Sequence, residues 1–465
     1  MIPRHSRSTV DTMSIFLKRC ILHFCHLSKC LQSSKTVPHF LRHFSNSCIV
    51  QRFYLAPPEL NLEYLCNPEN SREIEHGIKC RKGAGNIREV IAFKRRLDAT
   101  NNEETERALL EEKLISEAAK LPNKTHPKVL ENSSDQPVEV ETVGSAPVFD
   151  FKPKQFHELA LKLDMLRMEN LGLVTGHRSY YLKRELAQLE QALLHFSVKR
   201  LMSKGFTLVS VPDILHPSAI EACGMTTQGK RTQVYHLEPN FGGDLCLSGT
   251  AEMAFGAFFA NKTLSLNELP QKLAAVSRCF RAETSTVQEE KGIFRVHQFT
   301  KLEMFGVTAN ETSTESEQLL DEFTTIQRSL FQEIGLHFKL LDMPASDLGA
   351  PAYRKFDIEA WMPGRGIYGE ISSASNCTDY QSRRLHIKYE TQSPDGRRVL
   401  KHVHTVNGTA CAIPRMLIAI LENFQTKDGD IRIPDPLIPH MRGLAVIKNR
   451  RTKDKIYWTK LKSIK

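Results

Sequence analysis

Four short polar clusters carry more charge and hydroxyl chemistry than a fold needs. The first is Ser248-Gly249-Thr250-Ala251-Glu252, a hydroxyl and a carboxylate set between apolar segments. The second is the stretch 279–305, two alternating apolar segments around a polar loop, with Arg281, Glu283, Phe299 and Glu303 at its ends. That pattern predicts a long antiparallel hairpin. The third runs Glu370-Ile371-Ser372-Ser373-Ala374-Ser375-Asn376-Cys377, and the fourth, Asn407-Gly408-Thr409-Ala410-Cys411-Ala412-Ile413-Pro414-Arg415, opens an apolar helix over 416–423. Carboxylates and guanidinium groups are costly to bury unless something meets them, so the hairpin reads as the floor of a ligand site.

Taken together, the clusters compose a site for a nucleotide and a small polar amine. Arg281 and Arg415, on different elements, clamp a polyphosphate through planar multi-donor forks that lysine does not supply. Glu370 with Ser373 offers hard oxygen ligands to Mg2+. Phe299 gives a face on which a base stacks, Glu252 and Glu303 hold an ammonium, and Thr250 or Thr409 exchanges a hydrogen bond with a hydroxyl. Each cluster alone has a plainer reading: Phe299 also fits a core position, and Glu370 with Arg415 also fits a structural ion pair. The Gly-x-x-x-x-Gly-Lys string at 224–230 lacks the Ser or Thr that completes a phosphate loop, the Gly-x-Gly-x-x-Gly string at 364–369 is not followed by a helical pattern, and there is no Gly-x-Ser-x-Gly elbow, which argues against the common phosphate cradles and acyl-hydrolase chemistry.

The elements that must position these groups follow from patterning along 465 residues. Residues 1–47 have a single acid, Asp11, against many Lys, Arg, Ser and His, the composition of a mitochondrial presequence. Arg42-His43-Phe44-Ser45 resembles a matrix-protease cleavage pattern. Residues 48–125 are polar and helix-forming. Ile87, Val90, Ile91, Phe93 and Leu97 recur at helical spacing, as do Leu109, Leu110, Leu114, Ile115 and Ala118, which predicts two helices joined at Asn101-Asn102 in an antiparallel arm. Such an arm is either a small packed helical unit or a contact for a polyanion. Residues 126–149 read as an extended linker.

Helices are expected over 156–168 and 180–203 and a strand over 207–211, in a body spanning 150–438. No regular βα repeat follows, so the expected class is α+β, an antiparallel sheet flanked by helices. Residues 439–465 form a basic tail. The net charge of +10 fits a nucleic-acid partner or a basic leader. The seven cysteines after the presumed leader include no Cys-x-x-Cys pair, so no zinc is expected and the thiols are read as reduced. The apolar stripe near the start falls short of a membrane span.

At these four clusters the chain resembles the class II aminoacyl-tRNA synthetases in their seryl form. Phe280-Arg281-Ala282-Glu283 and Arg295-Val296-His297-Gln298-Phe299-Thr300-Lys301-Leu302-Glu303 look like motif 2. Val211-Pro212-Asp213 resembles motif 1, whose proline lies at a dimer interface, and the other clusters match the remaining signatures. The resemblance implies a class II antiparallel sheet preceded by a short helical-hairpin tRNA-binding domain. It implies ATP-dependent activation of serine and transfer to mitochondrial serine tRNA in the mitochondrial matrix. The alternative is a weak or inactive paralogue that binds tRNA or partners an active subunit. Arg281 and Arg415 would be catalytic. Thr250, Glu252, Arg281, Glu303, Asn407 and Thr409 would bind serine. Arg281, Glu283, Val296, Phe299, Glu370, Ser373 and Arg415 would bind ATP, with Mg2+ on Glu370 and Ser373. Arg95 and Arg96 on the arm, and Arg450, Arg451, Lys453 and Lys455 in the tail, would meet tRNA. A homodimer, or a heterodimer with a paralogue, is implied, with no membrane partner. Three features depart from the family pattern: Pro414 where a glycine is usual, a 284–291 loop without the usual glycine pair, and an arm much shorter than the family's.

Overall fold

The computed structural model describes residues 55–449 except 82–84, 101–103, 133, 170, 172–173, 230–231, 242 and 284–291. The described residues belong to one compact unit, Leu55–Lys465. The presequence reading, the Asn101-Asn102 turn, the 284–291 loop and the tail bases Arg450, Arg451, Lys453 and Lys455 therefore lie outside the described residues.

An eight-stranded sheet forms the body. In chain order its strands are β1 (Val138–Val143), β2 (Thr207–Leu208), β3 (Gln271–Phe280), β4 (Gln298–Thr308), β5 (Phe338–Asp342), β6 (Arg354–Met362), β7 (Ile367–Thr378) and β8 (His404–Ala412). They lie side by side as β1-β5-β6-β7-β8-β4-β3-β2. All pairings are antiparallel except the edge pair β2 with β3. The α+β expectation thus holds, and β3 with β4 is the long hairpin expected from 279–305, paired from Phe280 with Gln298 to Gln271 with Val307.

Alternation divides β4 between two environments. Leu302 and Met304 enter a core with Leu193 and Phe196 of one helix, Leu319 and Phe323 of a second, and Met416 and Leu417 of a third. On the opposite face Phe305 and Val307 join a second core, where Phe305 stacks on Phe255 with ring centroids 5.4 Å apart. Between these apolar ends, the same face carries Phe299, Lys301 and Glu303.

The helices concerned are α3 (Arg184–Ser203), α4 (Ala251–Phe259), α5 (Glu315–Ile334) and α6 (Ile413–Asn423), preceded by the arm helices α1 (Ile87–Ala99) and α2 (Glu104–Ala119). The arm buries Ile87, Val90, Leu97, Leu110, Leu114 and Ala118, as their spacing predicts, whereas Leu109 is exposed. With 13 and 16 residues, α1 and α2 reach only about 20–24 Å. Helices Leu62–Cys66 and Ser71–Cys80 complete this small core. Arg81 fastens it to the body: its guanidinium donates to Thr125 Oγ1 at 2.9 Å and to the carbonyls of Lys124 at 3.0 Å and Gly349 at 3.1 Å. Asn123 Nδ2 adds bonds of 2.8 Å to the Pro351 and Cys377 carbonyls.

Several boundaries depart from the sequence expectation. The 126–149 segment is not simply an extended linker, because Pro127–Glu131 is a short helix and β1 pairs with β5 at the sheet edge. Its alternating Val and Glu residues suit an edge strand, with Glu139 meeting Lys339 and Glu141 meeting Arg328, each at 2.6 Å. The tail does not begin at 439. Met441 is buried, and Val446–Ile447 pairs with Ile431–Arg432, so apolar anchors among the bases extend the body. The helix expected over 156–168 stops at Lys162, where a turn with Asp164 at φ 54° leads into the Leu166–Arg167 strand. The helix expected from 180 starts at Arg184, because Tyr181–Leu182 pairs with that strand. The strand expected over 207–211 is only Thr207–Leu208, and α6 starts at Ile413 with Pro414 in its first turn, where a missing N–H is harmless.

α5 crosses β4 and β8 over glycine. A Cβ at Gly306 would lie 2.3 Å from Leu319 Cδ2, and one at Gly408 would lie 3.1 Å from Phe323 Cδ2. Overpacking such a contact forces backbone shifts, so Gly306→Ala is expected to destabilise the fold by about 1–3 kcal/mol. Denaturant unfolding monitored by circular dichroism checks this, and an unchanged midpoint would show that α5 does not approach so closely.

Candidate active site

Three segments converge on the polar face of β4. The exit of β3 is pinned first: Arg281 N donates to the His297 carbonyl at 2.9 Å, while the His297 ring lies 3.0 Å from the Arg281 carbonyl and 2.6 Å from Tyr235 Oη. Glu283 follows in the left-handed region, at φ 46°. Its N–H donates to Gln233 Oε1 at 2.7 Å, and Arg178 Nη1 donates to its carbonyl at 2.8 Å. Arg178 and Arg295 also flank its carboxylate, at 3.9 and 3.7 Å.

β7 supplies Glu370 and Ser373. Three positions apart, these would point to opposite faces of an unbroken strand. A register shift opposite Ile358 and Glu359 re-phases the pairing, so that Glu370 faces Glu359 and Ser373 faces Asp357. Asp357 and Glu359 share a face of β6, and the bulge therefore brings Glu370 and Ser373 onto one face as well. A second shift sets Glu303 opposite Thr409, and Asn407 lies two residues along β8.

The result is a cleft lined by Arg281, Glu283, Val296, Phe299, Glu370, Ser373, Thr409 and Arg415 of the predicted set, together with Phe294, Arg295 and Lys301. It holds about 560 Å³ of non-atom space, part of it open to solvent. Arg281 lies over the Phe299 ring at 5.2 Å, and its buried Nε has no hydrogen-bond partner among the described residues. Arg415 lies over Phe294 at 4.6 Å and contacts Glu370 Oε1 at 3.2 Å, so the ion pair considered from sequence does form, within the cleft. Burial would raise the Glu370 pKa, but Arg415, Lys355 and Arg281 outweigh it and hold the carboxyl below its usual range. Burial and, more weakly, Glu370 push Asp357 up to about 7 against the pull of Lys355, and both push Glu359 up too. Three carboxylates on one sheet face thus repel one another beside the arginines, an arrangement that a divalent cation at Glu370 and Ser373 would relieve.

The other predicted residues lie deeper and connect through Lys301. This lysine is buried, pairs with the Glu303 carboxylate, and donates to Thr250 Oγ1 at 2.8 Å and Thr409 Oγ1 at 3.4 Å. Thr250 caps α4, accepting from Glu252 N, which places Glu252 in the first turn where the helix dipole favours a carboxylate. Glu252 Oε1 accepts from Asn407 Nδ2 at 2.9 Å and from Gln381 Nε2 at 2.6 Å. Burial and then Glu303 raise its pKa to about 7, against Gln381, Lys301 and Arg281.

Sequence reasoning missed Lys301 as a site residue, although its place two residues before Glu303 on an alternating strand would have found it. It also missed Gln381, which no spacing marks. Arg95 and Arg96 are exposed on α1, in the helical unit and not in the cleft. A larger groove of about 1400 Å³ lies between that unit and the body. Its cations are largely engaged: Arg383 pairs with Asp379 at 2.6 Å, and Lys124 and Arg384 each cover a tyrosine ring at 3.4 Å. The unpaired, buried Nε of Arg281 makes the smaller cleft the better anion site.

Comparison with known proteins agrees with this geometry. Residues 235–424 match the family described as the tRNA synthetase class II core domain (G, H, P, S and T). The mitochondrial serine–tRNA ligase of Mus musculus is 48% identical over 332 residues, 71% of this chain but only 63% of that protein's length. The serine–tRNA ligase of Borrelia garinii subsp. bavariensis is 41% identical over 384 residues, covering 80% of this chain and 87% of the relative. Among solved structures, the seryl-tRNA synthetase of Pyrococcus horikoshii complexed with ATP superposes with a TM-score of 0.75 at 29% identity, over 84% of this chain and all of that one. With a bacterial relative matched over most of its length and the class II sheet in place, the chain belongs to the serine–tRNA ligase family of class II aminoacyl-tRNA synthetases.

Proposed function

We propose that the chain activates serine with ATP and transfers it to mitochondrial serine tRNA in the mitochondrial matrix. The observation that carries this reading is a guanidinium-lined cleft that shares Lys301 and Thr409 with a deeper polar cluster. Arg281, Phe299, Glu370 and Arg415 line the cleft, while Thr250, Glu303 and Thr409 meet Lys301 beneath it and Asn407 holds Glu252 beside Thr250. Adenine stacks on Phe299 beside Val296, with Glu283 near its amino group. Arg281 takes the α-phosphate through its orphaned N–H, and Arg415 takes the γ-phosphate. Mg2+, held by Glu370 and Ser373, would neutralise phosphate charge when bound.

The serine ammonium goes to the carboxylates of Glu252 and Glu303, and its hydroxyl meets Thr250 or Thr409. The serine carboxylate oxygen forms a bond to the α-phosphorus while the bond from that phosphorus to the β-phosphate oxygen breaks, and pyrophosphate leaves. A terminal tRNA hydroxyl then takes the seryl group and AMP departs. No protein nucleophile is needed, so these residues act by positioning and by neutralising charge. A pocket built to hydrogen-bond a hydroxyl rejects alanine, which leaves buried polar groups unpaired.

The composition of residues 1–47 and the mitochondrial relatives support the location. Arg95 and Arg96 on the short arm, with the tail bases, are the proposed tRNA contacts. The alternative of an inactive paralogue has no supporting observation. A homodimer would cover the β2 edge, where Met202, Leu208, Ile214 and Val276 are 56, 46, 48 and 38% exposed beside Pro212.

Two measurements check this reading. The chain without residues 1–47 is expected to exchange pyrophosphate into ATP only when serine is added, and Arg415→Ala to abolish exchange while leaving tRNA retention on a filter intact. Absence of serine-dependent exchange, or loss of both activities in the variant, contradicts it. Sedimentation of the chain expressed alone is expected to give a dimer that Leu208→Asp converts to monomers; a monomeric wild type contradicts the proposed interface.

A further inference from the structure

Glu252 presents its two oxygens unequally. Gln381 and Asn407 both donate to Oε1, at 2.6 and 2.9 Å, whereas Oε2 has no hydrogen-bond partner among the described residues. Two convergent N–H groups fix the plane of a carboxylate and leave the second oxygen for whatever enters the pocket. Asn407 was expected at the site, but Gln381 was not. It lies in the short helix Tyr380–Leu385, completely buried, and reaches Glu252 from behind.

The amide of Gln381 is itself held. Its Oε1 accepts from Thr405 Oγ1 at 2.7 Å, and Thr405 is completely buried at the start of β8. Its Nε2 also reaches the Cys223 carbonyl at 3.5 Å. Turning the amide over would set its oxygen against both the Glu252 carboxylate and that carbonyl, so the network admits a single orientation. A chain of bonds thus runs from β8 through Thr405 and Gln381 to Glu252, independent of the cleft where the nucleotide is proposed to bind.

We infer that Gln381 is a positioning residue for the amino-acid pocket: anchored by Thr405, it holds Glu252 with Oε2 alone facing a small polar amine substrate. This rests on the proposed serine-activating function. Gln381 touches no substrate atom, and its effect passes entirely through Glu252. Recognition of the amino acid therefore depends on it, and recognition of ATP does not.

The groups that face Glu252 are Glu303, Lys301, Arg281, Asn407, Cys223 and Cys377. Burial and Glu303 favour its neutral form, while Gln381, Lys301 and Arg281 favour the carboxylate. Removing the Gln381 N–H takes away one of the groups that stabilise the charge. The acid limb of the profile must then move to higher pH, because a neutral Glu252 holds an ammonium poorly.

The test is serine-dependent pyrophosphate exchange by Gln381→Met, which keeps the volume and removes the donor, and by Thr405→Val, which frees the amide. Gln381→Met is expected to raise KM for serine roughly tenfold or more, the equivalent of one lost hydrogen bond to a charged group. KM for ATP should stay within about twofold, and the acid limb of kcat/KM for serine should shift upward in pH. Thr405→Val should act in the same direction more weakly, with both variants melting as single cooperative units. Parallel rises in both KM values, or a higher serine KM with an unmoved acid limb, would overturn the positioning role. The same assay on the wild type separates the two levels, since a wild type without serine-dependent exchange overturns the functional reading itself.

Discussion

The site depends on one buried ammonium. Lys301 lies on the interior strand β4 and ties three elements together: Glu303 two residues away, Thr250 at the cap of α4, and Thr409 on β8. Glu303 is almost fully buried, where a carboxylate without a partner is costly. Lys301 pairs with that carboxylate and donates to two hydroxyls beside it. Removing either partner would leave the other as an uncompensated buried charge, which is why such pairs resist single substitutions.

That pair also explains how one strand offers two kinds of polar surface. Phe299, Lys301 and Glu303 share a face of β4, and Phe305 then closes it by stacking into the second core. The polar segment is bounded by an aromatic at each end: one faces the cleft beside Arg281, the other is sealed against Phe255. Within this length the charge balance changes. The Phe299 end is rich in guanidinium groups, suited to phosphates, and the Glu303 end holds two carboxylates, suited to an ammonium. Membership of the serine–tRNA ligase family gives this polarity a chemical meaning without altering the geometry that produces it.

Much of this was legible in the sequence because alternation and motif spacing are local. The β3–β4 hairpin, the arm helices with their buried Ile87, Val90, Leu110 and Leu114, and most of the cleft residues were expected and are found together. What escaped depended on register and on distant partners. The bulge in β7 that brings Glu370 and Ser373 onto one face is a property of its pairing with β6. The strand β1 was hidden in an acid- and Pro-rich segment, because an edge strand needs neither a long apolar run nor neutral side chains. Lys301 escaped because lysine on a strand is ordinarily solvated, and only the oxygens that three elements bring to it make burial affordable. Gln381 depends on a contact with Glu252 across 129 positions of sequence, beyond any local pattern.

The most direct measurement is a crystal structure of the chain soaked with ATP and serine. The account predicts the adenine ring on Phe299, the α-phosphate at Arg281, and the serine ammonium between Glu252 and Glu303 with Lys301 still bound to Glu303. A nucleotide found instead in the groove beside Lys124 and Arg384, or a serine ammonium away from both carboxylates, would contradict it.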